Sequence, residues 1–267
     1  MVDATITAVD RGSITADVNF MLEGHTMATE ADPNPDATRI TAPVYNLVVD
    51  HPEATFLWDT GSHPEAGDGH WPTPLYQAFP HRDADEHHLE DDLDAVGYGL
   101  DDVDAVVMSH LHLDHAGGLY NFAGTDVPVY VHEAELKHAY FSAKTDAGDG
   151  AYLAGDFDHD LNWQVVTRHR ESLVEDVEFL HLPGHTPGLM GLRLDLAEDG
   201  TVILAGDEAY LRENYDDEHP LGPTLTWSTR DWWESLRLLK DLERRHDATV
   251  FCGHDPGDFE RLQAGLR

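Results

Sequence analysis

Residues 105–118 read Ala-Val-Val-Met-Ser-His-Leu-His-Leu-Asp-His-Ala-Gly-Gly, and this stretch decides the fold. The apolar run Ala105 to Met108 has the length and composition of a short buried strand. It empties into three imidazoles and a carboxylate within six residues, His110 to His115, with glycines behind. A strand ending in this way forms the rim of a sheet built to hold metal. His and Asp are ligands of choice for zinc and its first-row neighbours. In an extended segment residues two apart point the same way, so His110 and His112 can grip one ion together. Asp114 and His115, further along the turn, suit a second.

Three distant pieces complete the set: Pro183-Gly184-His185-Thr186-Pro187-Gly188, Ala205-Gly206-Asp207 and Cys252-Gly253-His254-Asp255. Each lies just past an apolar run. A carboxylate suits the bridging position of a two-metal site, which assigns that role to Asp207 and leaves His185 and His254 to complete one site each. Two divalent ions against two aspartates and one hydroxide leave a single positive charge, compatible with a neutral ester-like substrate. A lone His-X-His would carry little weight. Most of the nineteen histidines, His63, His81, His87 and His88 among them, read as solvated or locally hydrogen-bonded. The coincidence of four such pieces is what points to a dinuclear centre.

The chain of 267 residues, 41% hydrophobic, is long enough for one large domain or two small ones. No boundary is rich in linker residues, so a single domain over 1–267 is expected. There is no run of eighteen apolar residues. The start, Met-Val-Asp-Ala-Thr-Ile-Thr, lacks the features of a secretory signal, and the expectation is a soluble, cytoplasmic protein. Fifty-two acids face sixteen bases, a net charge of −36. The acids are spread along the whole chain, which suits concentrated salt, where electrolyte screens the repulsion. No basic stripe exists to neutralise phosphates, so nucleic acid is excluded as a partner; no membrane contact is expected either. The single cysteine, Cys252, excludes an internal disulfide and reads as a small buried residue at a strand end.

Along the chain, Thr5 to Val9 and Ser13 to Asn19 are expected as strands joined at Asp10-Arg11-Gly12 like a hairpin. Val44 to Val49 and Thr55 to Trp58 form a second hairpin ending at Asp59-Thr60-Gly61. Residues 62–85 read as a long surface loop, Glu86 to Val96 as a helix. Val127 to Val131 is a strand, Glu133 to Ala143 a helix. Strands recur at Trp163 to Thr167, Val177 to His181, Leu189 to Leu194, Val202 to Ala205 and Val250-Phe251. Asp231 to Arg245 is the clearest amphipathic helix, and Phe259 to Leu266 a closing one.

The His-X-His-X-Asp-His run, followed by His185, Asp207 and His254 in that order, resembles the metallo-β-lactamase superfamily. That resemblance implies an αββα sandwich with metals at one edge of two sheets, metal ligands His110, His112, Asp114, His115, His185, Asp207 and His254, and Asp59 supporting the metal histidines from behind. Within the superfamily the chain looks most like N-acyl-homoserine lactonases, of the quorum-quenching type. The residues that carry this are Pro43-Val44-Tyr45, Asp59-Thr60-Gly61, Ser109 to Gly118, Gly206-Asp207-Glu208-Ala209-Tyr210, Glu213-Asn214-Tyr215 and Gly253-His254-Asp255. Tyr210 matches the lactonase tyrosine at the substrate carbonyl, where a phenol can donate to a developing oxyanion. On residues alone it reads equally as an aromatic packed under a loop.

The implied activity is lactone ring opening by a metal-bridging hydroxide, with Asp207 and Tyr210 catalytic. The cofactors would be two divalent ions, Zn2+ first, with Fe, Mn or Co as alternatives. The partner is a small lactone or ester, and a homodimer is left open. Phe20, Met21, Tyr76 and Phe141 are candidates for the acyl-chain wall. Alternatives are a hydroxyacylglutathione-type thioesterase, a broad-specificity esterase and a non-catalytic metal-binding module. The thioesterase would need late basic residues for glutathione, and the C-terminal segment offers Arg261 and Arg267. A di-iron redox branch is discounted, because position 112 is histidine and no flavin domain follows.

Overall fold

The computed structural model describes residues 1–145 and 147–267. Its first half supplies β1 (Thr5–Asp17), α1 (Val18–Met21), β2 (Arg39–His51), β3 (Ala54–Trp58), α2 (Thr73–Ala78), α3 (Leu89–Ala95), β4 (Ala105–Val107), α4 (Leu113–Ala116), β5 (Pro128–His132), α5 (Glu133–Lys144), α6 (Ala154–Phe157) and β6 (Asn162–Val166). The second half supplies β7 (Arg170–Val174), β8 (Val177–His181), β9 (Met190–Leu196), β10 (Gly200–Leu204), α7 (Arg212–Asp216), α8 (Thr229–His246), β11 (Thr249–Phe251) and α9 (Pro256–Gln263). β1 to β6 form a six-stranded sheet in sequence order, and a five-stranded sheet runs β11-β10-β9-β8-β7. The first three strands are antiparallel, and β3 to β6 run parallel.

Side-chain alternation explains the layering, since successive residues of a strand face opposite sides. In β2, Leu47 and Val49 turn toward the second sheet and pack in one core with Phe179, Leu192 and Leu204. Val48 points the other way, into a core shared with Leu89 and Leu93 of α3 and Ala139 of α5. On the far side, α8 lays Trp232, Leu236, Leu239 and Leu242 over Ile203 and Val250. Ser228 caps this helix by accepting from the Asp231 amide, and Asp247 in a left-handed conformation ends it. The result is the expected αββα sandwich, a mixed α/β fold.

The expected hairpin at Asp10-Arg11-Gly12 is instead a bulge in one long strand. The register against β2 shifts between Asp10 and Ser13, Gly12 takes φ +83°, and Arg11 turns inward, fully buried, to pair with Asp92. An extra residue bends a strand without ending its pairing, and turn-like residues alone do not distinguish the two. Asn19 lies in α1, beyond the strand. The 62–85 loop holds α2 and single turns of 3-10 helix at Ala66–Asp68 and Ala84–Glu86. Strand β7 lacks an apolar run, Arg-Glu-Ser-Leu-Val, and its edge position tolerates that polarity. No helix among the described residues is long and apolar enough to cross a membrane.

Candidate metal centre

Every site residue lies just beyond the C-terminal end of a strand, so the two sheets deliver them to one rim. Asp59 follows β3, His110 follows β4, His185 lies past β8, Asp207 past β10 and His254 past β11. Asp114 and His115 sit on the single turn of α4. Two glycines allow this crowding. A Cβ at Gly117 would lie 2.1 Å from the His63 amide nitrogen, and one at Gly253 would lie 2.6 Å from Asp207 Oδ1.

All seven candidate ligands are buried and brought together. His185 Nε2 lies 3.2 Å from His110 Nε2 and 3.0 Å from His112 Nδ1. Nitrogens bound tetrahedrally at ~2.0–2.1 Å to one ion sit ~3.3 Å apart, so this spacing fits a shared cation. Asp114, His115 and His254 form the second group. Between the two stands Asp207: its Oδ2 is 3.5 Å from His185 Nε2 and 3.4 Å from His115 Nε2, and its Oδ1 is 3.3 Å from His254 Nε2.

Hydrogen bonds behind the imidazoles fix their tautomers. His185 Nδ1 donates to the Leu225 carbonyl (2.7 Å) and His254 Nδ1 to the Pro43 carbonyl (2.8 Å), which leaves each Nε2 a lone pair toward the centre. His115 Nδ1 donates to Asp59 Oδ2 at 2.9 Å. Ser109 Oγ donates to the same oxygen at 2.7 Å and lies 3.0 Å from His110 Nδ1. Asp59 holds φ +57°, a sparsely populated conformation that Asp tolerates better than most residues. Both Asp207 oxygens and the Nε2 atoms of His115 and His254 are buried without a hydrogen-bond partner. Orphaned acceptors of this kind are costly, and a donor set of imidazole nitrogens and carboxylate oxygens fits divalent cations of the zinc type.

The charges respond to this packing. Burial and then His115 push His110 well below the usual imidazole range. Burial opposes protonation of His115 as well, but Asp207, Asp114 and Asp59 together lift it well above that range. Burial also works to raise Asp207, yet His115, His254 and His110 hold it well below the usual carboxylate value. Burial, then the charges of Asp207 and Asp114, push the Tyr210 phenol well above its ordinary value, so it keeps its proton.

The Tyr210 ring stacks 4.5 Å from the His254 ring, and the residue lines a cavity of about 30 Å³ with His112 and Asp114. This small space shares Leu75, Phe79 and His112 with an outer cavity of about 880 Å³. Of the four wall candidates, only Phe20 lines that cavity. Met21 is fully buried in the core, the Tyr76 hydroxyl donates to the His81 carbonyl, and Phe141 is half exposed outside the lining. Apolarity alone could not tell these locations apart. Sequence reasoning also missed Trp227 of the cavity wall and two residues behind the ligands, Glu135 and Tyr152; none carries a pattern distinguishing it from ordinary core or loop residues. Cys252 is buried and free, at the end of β11 as expected, and takes no place among the candidate ligands.

A model of the metallo-beta-lactamase superfamily matches residues 41–254. The N-acyl homoserine lactonase AiiB of Agrobacterium fabrum is 30% identical over 263 residues, covering 95% of this chain and 94% of the relative. The N-acyl homoserine lactonase AiiA of Bacillus thuringiensis subsp. kurstaki is 30% identical over 223 residues, covering 81% and 82%. A solved N-acyl homoserine lactone hydrolase, with the product N-hexanoyl-L-homoserine bound at its catalytic metal center, shares the fold with a TM-score of 0.82. It is 24% identical, with 98% of this chain and 97% of that one covered.

Proposed function

The chain belongs to the metallo-beta-lactamase superfamily, and from that premise we propose that it is a metal-dependent hydrolase opening the ring of N-acyl homoserine lactones. Residues 1–267 act as one catalytic domain. Its metal ligands are His110, His112 and His185 for one ion and Asp114, His115 and His254 for the other, with Asp207 between them. Zinc is the proposed metal, since imidazole and carboxylate donors suit it.

When bound, the two ions supply a Lewis acid for the carbonyl oxygen and acidify water to a pKa of roughly 7 in well-tuned sites. The protein's own groups do the rest. Tyr210, proton-bearing and beside His112 and Asp114 in the inner cavity, donates a hydrogen bond to the lactone oxygen that gains charge. Asp207, an unprotonated carboxylate whose oxygens are free of hydrogen bonds, would take the proton that the attacking water gives up on adding to the carbonyl and hand it to the departing ring oxygen. The outer cavity holds the acyl chain against Phe20, Leu75, Phe79 and Trp227 and excludes water from the reacting end.

The observation that carries the reading is the pairing of Tyr210 and the seven ligands with a mostly apolar cavity. Among the described residues lining it, none is Lys or Arg, and the carboxylate present is Asp149. An anionic substrate such as a glutathione thioester finds no counter-charge there and meets a like charge at Asp149, whereas a neutral lactone with an apolar tail fits. Parallel assays of an N-acyl homoserine lactone and a glutathione thioester test this. The lactone is expected to be hydrolysed at the higher kcat/KM; a preference for the thioester would overturn the assignment.

We propose further that the surface is adapted to concentrated salt. The support is the net charge of −36 spread along the chain, whose repulsion an electrolyte screens.

A further inference from the structure

Behind the first ligand group lies a carboxylate that no metal role accounts for. Glu135, in the first turn of α5, is fully buried. Its Oε1 accepts from the Leu111 amide at 2.9 Å and from the Tyr152 hydroxyl at 2.8 Å, and its Oε2 accepts from the Thr186 hydroxyl at 2.7 Å. Each donor lies beside a ligand of this group. Leu111 lies between His110 and His112. Thr186 follows His185. Tyr152 places its ring edge-on to the His112 ring, 4.5 Å away. The helix turn itself presses on the 183–188 loop, where a Cβ at Gly188 would come within 2.1 Å of the Glu135 amide nitrogen.

We propose that Glu135 is a positioning residue that clamps His110, His112 and His185 into one ion site and leaves the other site alone. The inference rests on the metal-centre reading above. Its physical content is geometric. The three nitrogens of this site come from two loops far apart in sequence, and three hydrogen bonds to one side chain fix those loops relative to each other. Buried acceptors with several donors are the strongest such anchors, because freeing the donors leaves them unpartnered in the core. Asp114, His115 and His254 share no hydrogen bond with Glu135; His115 is held by Asp59 and His254 by Pro43. Removing the clamp is therefore expected to act on one ion and not both.

The test is metal affinity, measured by competition with a chromophoric chelator on the intact chain. His112→Ala and His254→Ala assign the two binding steps of the wild type to their sites. Glu135→Ala is expected to weaken the step that His112→Ala removes by about 10–100-fold, the usual cost of losing an outer support, and to leave the other step within about threefold. Glu135→Gln is expected to recover most of that loss. Its amide oxygen can still accept from Leu111 and Tyr152, and the Thr186 hydroxyl can turn to accept from the amide nitrogen. Thr186→Val, which removes one donor and keeps the shape, gives a smaller loss at the same step if Glu135→Ala does not fold. Equal weakening of both steps, or none, overturns the clamp and leaves the metal centre intact. A wild-type chain that takes up fewer than two ions overturns the metal-centre reading itself.

Discussion

Asp59 Oδ2 accepts a hydrogen bond from His115 Nδ1 at 2.9 Å, on a backbone turned to φ +57°. The same carboxylate accepts from the Ser109 amide through its other oxygen at 2.7 Å. One side chain outside the ligand set thereby orients His115 directly and His110 through Ser109. Asp59→Asn keeps the shape but puts an amide N–H where one of these donors points. It is expected to lower metal affinity by about 10–100-fold, read by chelator competition, with the fold retained in far-UV circular dichroism. Unchanged affinity would make Asp59 a turn residue only.

Asp207 faces both ligand groups, so Asp207→Asn is expected to weaken both ions together. The loss of lactonase rate should exceed the roughly 10–100-fold that an outer support costs. Metal content by elemental analysis and turnover on the same sample check this. A variant that keeps two ions and full rate contradicts the bridging role.

Tyr210 contacts His254 through its ring and its backbone carbonyl, both of which phenylalanine keeps, and the hydrogen bonds that orient His254 and His185 come from Pro43 and Leu225. Tyr210→Phe is expected to keep both ions and to lose about 10²-fold in kcat, the scale for removing one oxyanion donor. Equal turnover in the two proteins would make the phenol a bystander packed under the loop.

Much of this centre was legible in the sequence, and the reasons are local. The cluster at 110–115 and the Gly-flanked His185, Asp207 and His254 each sit immediately after an apolar run, so strand ends alone place them on one rim. The expected pairing of His110 with His112 rests on an extended segment, whereas both occupy the loop after β4; there they meet His185, and His110 also lies beside His115 and Asp207. What escaped depends on tertiary contact. Glu135 looks like any acid in a helix's first turn, and only the fold sets it behind Leu111 and Thr186. Arg11 looked like a turn residue because its partner Asp92 lies 81 positions away. Met21 and Phe20 are adjacent and equally apolar, yet one fills the core and the other faces the cavity.

The charge of −36 gives a prediction about conditions. The Debye length falls from ~10 Å at 0.1 M salt to ~3 Å at 1 M, so repulsion among surface carboxylates should fade over that range. The melting temperature is expected to climb steadily between dilute buffer and molar KCl in a thermal scan. A flat profile would remove the high-salt reading without touching the catalytic one.

The most direct measurement is acid release from an N-acyl homoserine lactone by protein of known metal content, in high salt. The expected rate rises with bound metal up to two ions per chain, vanishes after chelation and returns when a divalent ion is restored. Protein that carries two ions and releases no acid from lactones of any acyl length would contradict the assignment.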